Sequence, residues 1–167
     1  LHMLTGNKSQ LEKNMQAILP YAGDNITQIF RAGQKCYYAK EYPLAEALLL
    51  KAATFPGSLS AVPVIDTWKT LARNAFDSGN PEKAYQYLKQ FQAKENCSGY
   101  PFEEMERVRW EFLCKQKRYQ EALDTSLALA STTQISLFKT EAFSRAAMVT
   151  FRHFNDIVKA KEYIDQA

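Results

Sequence analysis

The sequence is poor in the residues on which metal and catalytic sites most often depend. It contains two histidines and three cysteines, and the cysteines are widely spaced without a Cys-x-x-Cys pair. A metal site needs a cluster of such ligands, and a nucleophilic serine or cysteine needs a neighbouring base. His153, the one histidine beyond the first residues, stands near Phe151 and Phe154, which favours a half-buried packing position. We therefore expect no metal, no cofactor and no enzymatic activity.

Long apolar runs and a strong excess of one charge are also missing. No stretch approaches the roughly 20 apolar residues that a membrane helix needs, and no signal-peptide pattern opens the chain. The net charge is +3 with 18 acidic residues, whereas nucleic-acid binders usually carry a clustered cationic excess. An odd number of cysteines is typical of a reducing compartment rather than a disulfide framework. These features predict a cytoplasmic protein without membrane insertion. The alternative that the sequence leaves open is a leader peptide that has been removed.

The six glycines and six prolines punctuate the chain at a regular interval. Gly79-Asn80-Pro81 interrupts two amphipathic helical patterns, and Ala84 follows three residues later. Alanines in the same relation to a turn recur at positions 45, 84, 122 and 160, at intervals of 39, 38 and 38 residues. Each turn is predicted to join two antiparallel helices, with a small side chain where the second helix approaches the first. Gly79 should end one helix in the left-handed conformation, and Pro81 should start the next.

The same punctuation predicts the helix boundaries. Helices are expected near 8–19, 25–39, 43–54, 64–78, 81–94, 102–116, 119–130, 136–153 and 156–167, with no strand. Prolines should fall between the helix pairs, where helices must stop, at Pro20, Pro56, Pro63 and Pro101. Gly33 is the only glycine inside a predicted helix, so we expect it to be a site of close packing.

These residues resemble the tetratricopeptide repeat, a pair of antiparallel helices. The clearest copies are Trp68, Leu71, Ala72, Gly79, Asn80, Ala84 and Leu88, and Ile29, Ala32, Gly33, Glu41, Tyr42, Ala45, Leu49 and Ala52. The resemblance implies an all-α, right-handed solenoid of helix hairpins. It would form a single repeat domain over 1–167, with a partial repeat at 4–24 and repeats at 25–63, 64–101, 102–140 and 141–167. We also expect this domain to be a segment of a longer array.

The later copies leave the repeat register open by one residue. In the third, Trp110 stands where the family keeps a small residue, and Met105, Val108 and Phe112 fit better if the helix is shifted by one. In the fourth copy, two sets of residues fit the packed positions. One set is Phe143, Ala146 and Ala147, and the other is Ala147, Met148 and Phe151.

The resemblance further implies a concave face lined by the first helices, where such solenoids bind their partners. The predicted partner-binding residues on this face are Phe30, Gln34, Tyr37, Tyr38, Lys69, Arg73, Phe76, Arg107, Lys115, Arg145 and Arg152. Aromatic residues and arginine often dominate binding energy. Two alternatives remain at this stage. In the first, Tyr37 and Tyr38 pack against Tyr42 or a neighbouring unit rather than against a partner. In the second, the partner binds the convex face.

The sequence therefore predicts a non-catalytic protein–protein interaction scaffold that binds a partner peptide or helix on its concave face. An alternative is the sensor or oligomerisation arm of a regulatory protein, in which the solenoid meets a small ligand or a second copy of itself. RNA binding by related helical repeats is a third class. The longer period and the modest charge argue against that third class.

Overall fold

The described part of the chain is helical throughout its regular structure. In a computed structural model, the described residues are 26–54, 62–93 and 99–167, together with Lys13 and Ala17. Three residues named above, Pro20, Pro56 and Cys97, lie outside them, as does most of the helix predicted near 8–19. The helices are α1 (Ile26–Tyr38), α2 (Tyr42–Ala53), α3 (Val62–Asp77), α4 (Pro81–Gln92), α5 (Tyr100–Lys115), α6 (Tyr119–Thr132), α7 (Ser136–Val149) and α8 (Ile157–Asp165), with a π-helical turn at Thr150–Phe154. The all-α prediction is confirmed for these ranges, which contain no strand.

The chain divides into two compact units, an N-terminal unit of residues 1–93 and a C-terminal unit of residues 94–167. In the N-terminal unit α1 packs on α2, α3 packs on α4, and α3 also packs against α2 and α1. In the C-terminal unit each helix from α5 to α8 packs on the next. Each unit therefore contains two successive helix pairs in a repeat-like arrangement. Within the described ranges, the helices are all too short or too polar to cross a membrane.

Every helix pair turns at a residue in the left-handed conformation. These residues are Lys40, Gly79, Lys117 and Asn155, with φ of 61°, 90°, 60° and 53°. At the second turn the Gly79 N–H donates to the Phe76 carbonyl at 3.0 Å, and the Asn80 N–H donates to the Ala75 carbonyl at 2.9 Å. The turns at Lys40 and Lys117 have the same two hydrogen bonds. These bonds satisfy carbonyls that the helix end leaves open, so the left-handed cap predicted at Gly79 is confirmed.

The four prolines in the described residues lie at helix starts. Pro81 opens α4 and Pro43 stands in the first turn of α2, as predicted. Pro63 and Pro101 were expected between the helix pairs, and this was wrong, because each is the second residue of a helix, α3 or α5. Proline suits that place since its φ is already helical and its missing N–H has no partner there. Both helices consequently begin two residues earlier than predicted.

The small residues predicted at helix contacts are buried. Ala45, Ala84 and Ala122 are fully buried, and Ala160 is 7% exposed. A Cβ atom placed on Gly33 would lie 2.8 Å from Cγ of Leu49 on α2. That separation is shorter than van der Waals contact, so only glycine lets α1 and α2 approach this closely. The close packing expected at Gly33 is confirmed.

Burial shows which residues form the packed sets in the C-terminal unit. Met105, Val108 and Phe112, the set that fits the shifted register, are fully buried on α5. On α7, Ala146 and Ala147 are buried and Phe143 packs against the core, whereas Met148 is exposed. The π-helical turn then takes up an additional residue before the left-handed cap, because the Asn155 N–H bonds to the Thr150 carbonyl, five residues back.

Candidate functional site

Tyr37 ties α1 to α3 on the predicted binding face of the N-terminal unit. Its hydroxyl donates to Oδ2 of Asp77 at 2.6 Å, and its ring centroid lies 5.3 Å from that of Tyr38 and 6.4 Å from that of Tyr42. Burial raises the pKa of Tyr37, and the hydrogen bond to the Asp77 carboxylate raises it further. Tyr37 thus contacts both Tyr42 and, through Asp77, the neighbouring helix pair, as the packing alternative predicted. For Tyr38 that alternative is not confirmed, because its side chain is 75% exposed.

The other predicted residues of this unit are less accessible than the repeat pattern suggested. Phe30 is 8% exposed, so it contributes to the core rather than to an open surface. Gln34, Arg73 and Phe76 are half-buried. Lys69 forms an ion pair with Asp66 one helical turn away, with 3.0 Å between Nζ and Oδ1. Tyr38 is therefore the one well-exposed aromatic side chain among the residues predicted in this unit.

The C-terminal unit brings two predicted arginines together on neighbouring first helices. On α5, Nη2 of Arg107 lies 2.8 Å from Oε2 of Glu104. On α7, Nη2 of Arg145 lies 2.5 Å from Oε2 of Glu141. The Arg145 guanidinium carbon also stands 5.8 Å from the ring centroid of Trp110 on α5, within cation–π range. We call these five residues the arginine–tryptophan cluster.

Charges within the arginine–tryptophan cluster are coupled across the two helices. Burial lowers the pKa of Arg145, and the positive charge of Arg107 adds to this effect while Glu141 and Glu104 oppose it. Burial also lowers the pKa of Arg107. The hydrogen bond with Glu104 and the negative charges of Glu104 and Glu141 outweigh this effect, so the pKa of Arg107 is raised. The positive charges of the two arginines and the negative charges of the two glutamates cancel. The cluster therefore offers planar hydrogen-bond donors beside an aromatic ring at almost no net charge.

The remaining predicted residues lie apart from the cluster. Lys115, at the end of α5, pairs with Glu111 at 3.3 Å between Nζ and Oε1. Arg152 is exposed in the π-helical turn. Trp110 was not predicted as a site residue, although its mismatch with the small residue expected there was the available signal.

His153 and the two described cysteines, Cys36 and Cys114, show no features of a reactive centre. His153 was expected to be half-buried between Phe151 and Phe154, and this was wrong, because all three side chains are exposed. The His153 ring instead stacks on Tyr119 of α6, with centroids 3.5 Å apart and planes inclined by 8°. Burial raises the pKa of the Cys36 and Cys114 thiols, which disfavours the reactive thiolate.

Among the described residues, no group of three or more histidine, cysteine, aspartate or glutamate side chains could hold a metal ion. In comparisons with protein-family models, curated proteins and solved structures, nothing matches the chain. The likeness to the tetratricopeptide repeat thus remains a prediction from the residues themselves.

Proposed function

We propose that the chain is a non-catalytic, right-handed solenoid of tetratricopeptide type that binds a peptide or helix of a partner protein across α5 and α7. The arginine–tryptophan cluster is the observation that carries this proposal. It joins two first helices, which in this architecture line the concave face. Tryptophan and arginine are also the residue types that most often dominate the binding energy of protein interfaces.

The geometry of the cluster supports recognition of a peptide with mixed polar and apolar character. Arg107 and Arg145 are each held by a carboxylate, so little side-chain freedom would be lost when a partner binds. Because the two carboxylates balance the two guanidinium groups, the cluster does not attract a polyanion such as RNA, whose affinity depends on many unpaired cations. A partner backbone carbonyl or side-chain amide can accept the remaining guanidinium hydrogen bonds, and an apolar side chain can rest against Trp110.

Replacing both arginines by glutamine tests this proposal. We expect the Arg107→Gln, Arg145→Gln variant to lose the partners that the full chain captures in affinity purification with mass spectrometry. The glutamine side chains are shorter and lack the charge, and position 145 also loses the guanidinium group that lies over the Trp110 ring. Circular dichroism should show unchanged helicity, and Arg145→Lys serves as a milder variant that keeps the charge.

Arg118→Gln is the matched control for this experiment. Arg118 is exposed in the turn between α5 and α6 and pairs with Glu121, away from the cluster. This variant should capture the same partners as the wild-type chain. If the double glutamine variant also retains every partner, the binding site lies elsewhere.

A groove between α7 and α8 favours a second candidate function, self-association of a regulatory arm. The groove has a volume of about 530 Å³, and its exposed apolar lining includes Met148, Phe151, Ile157 and Ile164. Ile164 is 54% exposed, whereas Leu49, Leu88 and Ser126, at the same position of the three earlier helix pairs, are 0%, 2% and 2% exposed. Contiguous exposed apolar side chains often mark an interaction surface. We propose that a second copy of the chain covers this groove.

Light scattering across a concentration series tests self-association. The wild-type mass should rise toward that of a dimer, and Phe151→Ser with Ile164→Ser should keep the chain monomeric because the apolar contact is lost. Leu137→Ser is the control, since Leu137 on α7 is even more exposed than Phe151 and Ile164 but does not line the groove. A wild-type chain that stays monomeric at high concentration contradicts this second candidate.

A further inference from the structure

One side of α1 carries positive charge and an exposed aromatic ring. Arg31, Lys35 and Tyr38 are all exposed and follow one another at spacings of four and three residues. That spacing places their side chains on one side of the helix, because a turn contains 3.6 residues. The buried residues of α1 lie on the other side and are Ile29, Phe30, Gly33 and Cys36. We call Arg31, Lys35 and Tyr38 the cationic α1 surface.

The positive charge of this surface is not balanced within its helix. α1 contains no aspartate or glutamate, and Arg31 and Lys35, about one turn apart, repel each other. Within the described residues, neither of these two side chains forms a hydrogen bond or an ion pair. The arginine–tryptophan cluster differs, because a carboxylate holds each of its arginines. A negatively charged partner would therefore relieve a repulsion that the folded chain leaves in place.

The excess of positive charge in the sequence lies in the same unit. Residues 26–93 contain eight lysines and arginines and five acids, whereas residues 99–167 contain ten of each. Two other cations of the N-terminal unit, Lys69 and Lys83, already pair with acids of that unit. The field of the N-terminal unit is thus positive, which raises the rate of encounter with an acidic partner.

Tyr38 adds apolar contact area beside the two cations. Its ring is 75% exposed, and its centroid lies 5.3 Å from that of Tyr37. The hydrogen bond between Tyr37 and Asp77 fixes the Tyr37 ring, so the exposed ring of Tyr38 rests on a held neighbour. A tyrosine loses little side-chain freedom on binding, and tyrosine and arginine are enriched among the residues that dominate binding energy.

We propose that the cationic α1 surface binds an extended, acidic segment of a partner protein. Arg31 and Lys35 are separated by about 6 Å along the helix axis, since each residue rises about 1.5 Å. In an extended chain, side chains on one side recur every two residues, about 6.6 Å apart. Two acids with one residue between them can thus each face one cation, and an apolar side chain beside them can rest on Tyr38. RNA fits less well, because its affinity depends on many cations acting together.

This surface shares no residue with the arginine–tryptophan cluster. It therefore does not depend on the partner proposed there.

Fluorescence anisotropy of a labelled peptide, Ser-Glu-Ser-Glu-Ser-Leu, tests the proposal with the full chain. We expect saturable binding that weakens as the salt concentration is raised. The Arg31→Gln, Lys35→Gln variant should bind roughly 3- to 30-fold more weakly, which is the effect of losing two exposed ion pairs. Lys117→Gln with Lys139→Gln is the matched control, because it removes two exposed lysines of the C-terminal unit. This control should bind the peptide as the wild type does.

A charge exchange separates loss of binding from loss of folding. The Arg31→Glu, Lys35→Glu variant should reject the acidic peptide and bind Ser-Lys-Ser-Lys-Ser-Leu, which the wild type should not bind. A uridine trinucleotide, whose two phosphates carry the same charge as the two glutamates, should bind the wild type more weakly than the acidic peptide. Tighter trinucleotide binding that the glutamine variant loses would assign the surface to nucleic acid and overturn the proposal. Absence of acidic-peptide binding at millimolar concentration, or equal binding by the glutamine variant, also overturns it.

Discussion

Truncation of Phe112 to alanine is expected to lower the free energy of unfolding by about 3–5 kcal/mol. Phe112 is fully buried on α5, the helix that packs on α6. The loss combines the transfer free energy of the ring with the cost of the cavity that it leaves. Urea unfolding followed by circular dichroism measures the change as a lower transition midpoint.

Phe151→Ala is the matched control for this truncation. Phe151 is 55% exposed in the π-helical turn, so the same chemical change removes little buried surface. We expect a change within about 0.5 kcal/mol, as for most surface substitutions. Both variants are measured at low protein concentration, so that self-association does not contribute to the difference in their free energies of unfolding. Equal destabilisation by the two variants would show that the burial described for α5 is wrong.

Enlargement of Ala84 to leucine is the second large effect, with an expected loss of about 1–3 kcal/mol. Ala84 is fully buried three residues after Pro81, on the face of α4 that packs against α3. A leucine there would have to separate the two helices or leave its preferred rotamer, and either response costs free energy. A thermal melt followed by circular dichroism should show a clearly lower midpoint.

Ala47→Leu provides the control within the same unit. Ala47 lies on α2 and is exposed, so a larger side chain there meets solvent. Its expected effect is within about 0.5 kcal/mol of zero. If Ala84→Leu melts at the same temperature as Ala47→Leu, the alanine period does not mark helix contacts.

The helix pairs were predictable because their signals are local. Gly79, Pro81 and the alanine three residues beyond fix a helix end, a helix start and a close approach through backbone geometry alone. The left-handed lysines, Lys40 and Lys117, carried no comparable signal, whereas asparagine, as at position 155, adopts that conformation more readily. A lysine adopts that conformation only because the helix-terminating hydrogen bonds compensate for its strain, and those bonds depend on where the helix ends.

The binding face was harder to predict, because it depends on helix rotation and on tertiary pairing. A repeat pattern assigns side chains to faces in steps of about 100° per residue, so a one-residue shift moves a side chain from surface to core. Phe30 was placed on the open face and is buried, and Trp110 was treated as a misfit and instead contacts Arg145. The exposed position of His153 depends on contacts between helices that the sequence does not encode locally.

Backbone chemical shifts and three-bond amide couplings of the full chain, measured by NMR, would test the series of helix hairpins most directly. Lys40, Gly79, Lys117 and Asn155 should each interrupt the helical shifts with a positive φ, at intervals of 39, 38 and 38 residues. Helical shifts that run without a break through any of these four residues would contradict the hairpin architecture.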